Sequence, residues 1–170
     1  IVFVHGFFSS PAIWANVANE IMASRELRDR VQIMAYRYPT GRPFVESAAV
    51  LRRELNEFVK TYDRDGQDPS MYNMAMIGHS MGGLVAKLTV THSDDRLWYA
   101  IANRPLSEIN VSEEGRQRMA EWFYFEPLPF VRRVVFMGTP HGGAMAAGRT
   151  VGRCGSRCIE YPTAQLIEQD

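Results

Sequence analysis

The sequence predicts an α/β domain, a mostly parallel sheet with helices on both faces, and three observations predict it. Short β-rich runs bounded by Gly or Pro alternate with longer stretches whose apolar residues recur every three or four positions. The strand-like runs are apolar almost throughout, which suits strands buried on both faces. The 170 residues, 46% hydrophobic and 22% charged, are enough for one domain with a core of its own.

The first strand is Ile1 to Val4, and the chain opens on it with neither Met nor leader ahead. That start, and the few elements that follow, point to a single partial domain over residues 1–170, incomplete at both ends. Ser10 is placed to cap a helix whose first residue is Pro11, with Ile13, Trp14, Val17, Ile21 and Met22 as one apolar stripe. The second strand is Val31 to Tyr36. After Pro43 comes the clearest helix, with Phe44, Ala48, Leu51, Leu55, Phe58 and Tyr62 in steps of four and three, and Arg52, Arg53, Asn56 and Lys60 elsewhere. The polar run from Asp63 to Pro69 is a loop to the third strand, Met71 to Ile77.

Residues 92–130 fit the alternation least, being too long for a simple connection. Their aromatics, Trp98, Tyr99 and Trp122 to Phe125, either form a lid or cap-like excursion walling an acyl pocket, or pack an excursion onto the main core. Val131 to Met137 is the fourth strand. Residues 144–170 read as a loop and the start of a helix, in which Arg149, Arg153 and Arg157 stand among glycines that give them no fixed anion-gripping geometry. Cys154 and Cys158 lack the second pair that a structural zinc site would need. Two free thiols are favoured over a local disulfide, because closing so short a loop gains little entropy.

Lys plus Arg and Asp plus Glu both number 19, so the net charge is zero. No basic surplus argues for nucleic acid or an anionic membrane, and no apolar run reaches the ~20 residues of a membrane helix. The expected partner is small and mostly neutral.

Chemistry-bearing residues gather at three strand ends. Met71 to Ile77 runs into Gly78-His79-Ser80-Met81-Gly82-Gly83, after which Leu84, Val85, Ala86 and Leu88 continue as a helix. This is G-x-S-x-G between a strand and a helix. A bend sharp enough to lift a serine hydroxyl clear of the backbone needs flanking positions without bulk, and Gly78 and Gly82 supply them. A plain structural turn is the bland alternative, and the flanking elements argue against it. His79 adjoins the serine, but neighbouring side chains on a sharp turn point apart, so it packs or orients rather than acting as base. His5-Gly6-Phe7-Phe8 follows the first strand. Acyl transfer needs two N–H donors aimed at one oxyanion, and in the fold this motif implies they are the amides of Met81 and Phe7, with Gly6 allowing close backbone approach. The third cluster, Gly138-Thr139-Pro140-His141-Gly142-Gly143, ends the fourth strand and should face the same crevice.

Together, Val2 to Phe7, Ile77 to Leu84 and Gly138 to Gly143 resemble the lipase and esterase branch of the α/β-hydrolase superfamily. The nearest likeness is to bacterial lipase-like proteins and GPI inositol-deacylase-type hydrolases. The resemblance implies hydrolysis of a small-molecule or lipid carboxylic ester without cofactor or metal, with Ser80 as nucleophile. It also implies a triad acid and histidine on loops after later strands, hence beyond residue 170, so that residues 1–170 alone would be nearly inactive. The family order of nucleophile, acid, histidine leaves His141 a site-supporting residue rather than the base. Acyl transfer, amide or thioester cleavage, and a binding module that lost its chemistry remain alternatives on the same scaffold.

Overall fold

The computed structural model describes residues 1–142; the 144–170 segment with its arginines, and the Cys154 and Cys158 thiols, lie outside the described residues. Four strands, β1 (Val2–Val4), β2 (Met34–Tyr36), β3 (Met74–His79) and β4 (Val131–Met137), form one sheet in the order β2-β1-β3-β4. Every pairing is parallel. Between them come helices α1 (Ala15–Ala23), α2 (Arg25–Arg28), α3 (Phe44–Tyr62), α4 (Met81–Lys87), α5 (Arg96–Tyr99) and α6 (Glu113–Phe123). Single 3-10 turns lie at Pro11–Trp14 and Leu106–Glu108.

Side chains alternate across the sheet, and each face has a helical cover. On one side Phe3 is fully buried and stacks on Trp14, ring centroids 4.7 Å apart. On the other, Val2, Val4, Met74 and Met76 join a core with Ala48, Leu51 and Leu55 of α3 and Val85 and Ala86 of α4. Burial of each large apolar side chain there contributes on the order of 1.5–3 kcal/mol. Val4 lies opposite both Tyr36 and Gly78, and Gly78 opposite Phe136. The carboxyl ends of β1, β3 and β4 are thereby side by side, and the loops that leave them share one crest.

Two strands begin later than the apolar runs suggest. The Val31 N–H donates to the Leu27 carbonyl at 3.0 Å, so Val31 closes α2 instead of opening β2. Ahead of β3, the Asp68 carboxylate accepts from both Ser70 N (2.9 Å) and Ser70 Oγ (2.6 Å), and the turn it holds occupies Met71 to Asn73. Those hydrogen bonds also keep the Asp68 carboxyl below its ordinary pKa, Ser70 Oγ having the largest effect.

The helix after Ser10 forms as expected, its 3-10 first turn capped by the Ser10 hydroxyl accepting from Ala12 N. Its apolar stripe, however, is buried only at Trp14; Ile13, Val17 and Met22 stand 39–47% exposed among the described residues. β4 departs in the same way, with Val135, Phe136 and Met137 exposed, because it is the edge strand of the described sheet. Helix α3 corrects the expectation at Arg52. Its predicted polar face is partly covered by α6, so Arg52 is only 6% exposed, donating to the carbonyls of Leu88 (3.3 Å) and Glu121 (2.6 Å), with its guanidinium 3.7 Å from the Phe125 ring centroid. Desolvation lowers its pKa to about 10 against the opposing pull of Glu121, and it stays charged at neutral pH. Tyr62, expected inward, is exposed at the last turn.

In the 92–130 stretch Trp98, Trp122 and Phe123 are buried in the core, whereas Tyr99 is exposed. Its two ends are tied together. The Phe125 N–H donates to Ser93 Oγ at 2.8 Å, Ser93 N donates back to Phe125 O at 3.2 Å, and Leu128 N donates to Thr89 O at 2.8 Å. The His92 ring spans the same neck, Nδ1 2.8 Å from Asp94 and Nε2 2.7 Å from Glu126.

Candidate active site

The crest is organised around Ser80. The residue occupies φ 52°, ψ −125°, a left-handed setting that costs a side-chain-bearing residue on the order of 1–3 kcal/mol and persists only where the surroundings enforce it. The enforcement is visible in the hydrogen bonds. The Ser80 N–H donates across the sheet to Met137 O at 2.8 Å, extending the β3–β4 ladder, while the Ser80 carbonyl already accepts from Gly83 N at 3.0 Å as the first turn of α4. Strand and helix therefore meet at one residue. Its hydroxyl makes no capping bond to α4, and the residue is partly exposed.

Close approach explains the glycines. A Cβ on Gly82 would collide with the main-chain carbonyls of Val4 and His5, so only glycine lets α4 pack on the end of β1. A Cβ on Gly78 would come within 2.5 Å of the Gly83 Cα across the bend. Gly6 brings the first loop to the serine: a Cβ there would stand 3.0 Å from Ser80 Cβ and 3.1 Å from both Nδ1 and O of His79. The His5-Gly6-Phe7 turn and the Gly78-to-Gly82 bend are thus in direct contact.

His79 is exposed with its ring over Gly6, and no hydrogen bond joins it to Ser80 among the described residues. Phe7 is partly buried, and Phe8, at φ 51°, is 76% exposed with its ring 4.2 Å from that of Phe7. The N–H groups of Phe7 and Met81 have no backbone acceptor among the described residues. His141 lies on the β4 loop, exposed, with its ring edge-on to Phe136 at 4.6 Å. Its own N–H donates to Thr139 O at 3.0 Å, and no bond reaches Ser80 among the described residues.

Two residues to which the motifs assign no role also shape the site. The Tyr38 hydroxyl donates to the His5 carbonyl at 2.6 Å, and its ring stacks on the His5 imidazole at 4.4 Å. Burial pushes the Tyr38 phenol well above its ordinary pKa, so it remains a donor through the neutral range. The Tyr36-x-Tyr38 spacing, with both rings on one face at the end of a strand, was the available signal. Thr139 is the other addition. Its side chain fills the place where a Gly83 Cβ would be, and its buried hydroxyl lacks a partner among the described residues.

A parallel sheet with helices on both faces, and a serine on a strained strand-to-helix bend at its crest, defines a class of α/β protein. The chain belongs to the alpha/beta hydrolase family, whose model matches residues 1–162. Among solved structures it is similar to the Bacillus licheniformis lipase BlEst2 in mature form, at 18% identity and a TM-score of 0.48, over 88% of this chain and 45% of that one. The propeptide form of the same lipase gives 18% identity and a TM-score of 0.48, over 92% of this chain and 26% of that one. The chain thus spans less than half the length of either. No curated protein matches it.

Proposed function

We propose that the protein is a serine hydrolase of the lipase and esterase kind, cleaving carboxylic esters through an acyl-enzyme on Ser80. The observation that carries this reading is the contact of Gly6 with Ser80, 3.0 Å from a Gly6 Cβ to the Ser80 Cβ, at the shared carboxyl end of β1 and β3. It sets a strained, partly exposed serine beside two unspent main-chain donors, Phe7 N–H and Met81 N–H. Ser80 Oγ attacks the ester carbonyl, its proton passes to a base, and the carbonyl oxygen gains the charge that the two amides hold. Collapse expels the alcohol, which takes the proton from the base. Water then attacks the acyl group by the same route and returns a proton to Ser80 Oγ.

All four histidines of the sequence fall within the described residues, and none hydrogen-bonds to Ser80 there. The base in this proposal is a histidine of the complete protein outside this stretch, oriented by an acid, as the family order of nucleophile, acid and histidine implies. Substrates are small-molecule or lipid esters. Full-length protein offered esters of short and long acyl chains should release acid and alcohol in equal amounts, and Ser80→Ala should lower kcat by about 10⁴-fold or more. Unchanged turnover in Ser80→Ala would refute the assignment.

A further inference from the structure

The buried imidazole of His5 is left without a task by that mechanism. His5 is 1% exposed; its Nδ1 lies 3.0 Å from the Gly6 carbonyl oxygen, and its Nε2 is buried with no partner among the described residues. A carbonyl oxygen only accepts, so the proton of this bond sits on Nδ1. The ring is held flat against Tyr38, interplanar angle 19°, and Tyr38 in turn stacks on Tyr36 at 5.2 Å. The Tyr38 hydroxyl also grips the His5 main chain at its carbonyl. The imidazole is thus fixed, and through it one peptide oxygen.

That oxygen belongs to the peptide joining Gly6 to Phe7, which is planar and trans, so its C=O and N–H point in opposite directions. Holding the Gly6 oxygen on the His5 side turns the Phe7 N–H to the other. Gly6, lacking Cβ, offers little resistance to rotation of this peptide, and a flip would present a carbonyl oxygen where a donor is needed. We infer that His5 is a positioning residue that aims the Phe7 amide at the oxyanion site by holding the Gly6 carbonyl through Nδ1–H. The inference rests on the assignment of Ser80 as nucleophile. It separates His5 from a residue that merely fills space: the nitrogen matters, not the ring.

The test uses the full-length protein and three sequences at position 5. His5→Phe keeps a ring against Tyr38 and loses the donor; His5→Asn loses the ring but can place an amide N–H where Nδ1 was. Losing the aim of one oxyanion donor should lower kcat about 10²-fold in His5→Phe with KM changed less than about threefold. His5→Asn should recover kcat to within about tenfold of the parent. Equal kcat in His5→Phe and parent, or equal loss in both variants with folding intact, would overturn the inference. Independently of any variant, the nitrogen-15 spectrum of His5 in the parent should report the proton on Nδ1, and an unprotonated Nδ1 would overturn the inference even if His5→Phe does not fold. Failure of the nucleophile assignment looks different: Ser80→Ala would then retain full turnover whatever stands at position 5.

Discussion

Ser80 combines an unfavourable backbone setting with a free hydroxyl, and the two should separate on substitution. Ser80→Gly removes the side chain that makes φ 52° costly, so it should raise unfolding free energy by about 1 kcal/mol in urea titrations while abolishing ester turnover. A variant that is destabilised would mean that the bend is held by side-chain contacts of the serine instead. Gly82 is the converse case. In Gly82→Ala the new methyl meets the Val4 and His5 carbonyls, backbone that cannot yield cheaply, and we expect a loss of about 2 kcal/mol or more together with loss of activity. These residues were legible in the sequence because G-x-S-x-G between a strand and a helix has few other uses. The contact of Gly83 with Thr139 was not, since it joins positions 56 apart and no local pattern announces it.

Among the elements, α3 shows what periodicity can and cannot supply. Its inner stripe was readable from Ala48, Leu51 and Leu55, all buried against the sheet. Burial of Arg52 was not, because it depends on α6 crossing α3, and a charged residue on the outer face carries no local sign of a later partner. Arg52→Leu would leave the Leu88 and Glu121 carbonyls without their donor and remove the contact with the Phe125 ring. We expect it to cost about 2–4 kcal/mol by chemical denaturation, whereas the exposed Arg53→Leu should cost under about 0.5 kcal/mol. Equal effects would mean that α6 does not dock on α3 as described. The helix α1 and strand β4 erred in the opposite sense: their apolar patterns predict burial that the described residues do not supply, since periodicity reports which face is apolar and not what covers it.

For the molecule as a whole, the order of elements, the parallel sheet and the meeting of three loops at one crest followed from alternation and from where Gly and Pro interrupt it. The two buried tyrosines beside the site followed from neither, and they set a global property. Desolvation raises the phenols of Tyr36 and Tyr38, in Tyr36 aided next by Glu54, above the unfolded value of 10.0. Below about pH 10 the phenols are protonated in both states, and their stabilising contribution is complete. Above it the unfolded chain loses protons that the folded protein keeps, so this contribution falls as pH rises. Denaturation midpoints of the parent should therefore decline relative to Tyr36→Phe/Tyr38→Phe between about pH 9.5 and 11.5, the opposing alkaline contribution of Arg52 being common to both proteins. Parallel curves would place the phenols in water.

The whole account depends on an activated hydroxyl at position 80, and a covalent probe reads that without knowledge of the substrate. Full-length protein treated with a fluorophosphonate should gain one adduct, mapped by peptide mass spectrometry to Ser80, and Ser80→Ala should gain none. A folded protein that stays unmodified, or that carries the adduct at another residue, would contradict the account.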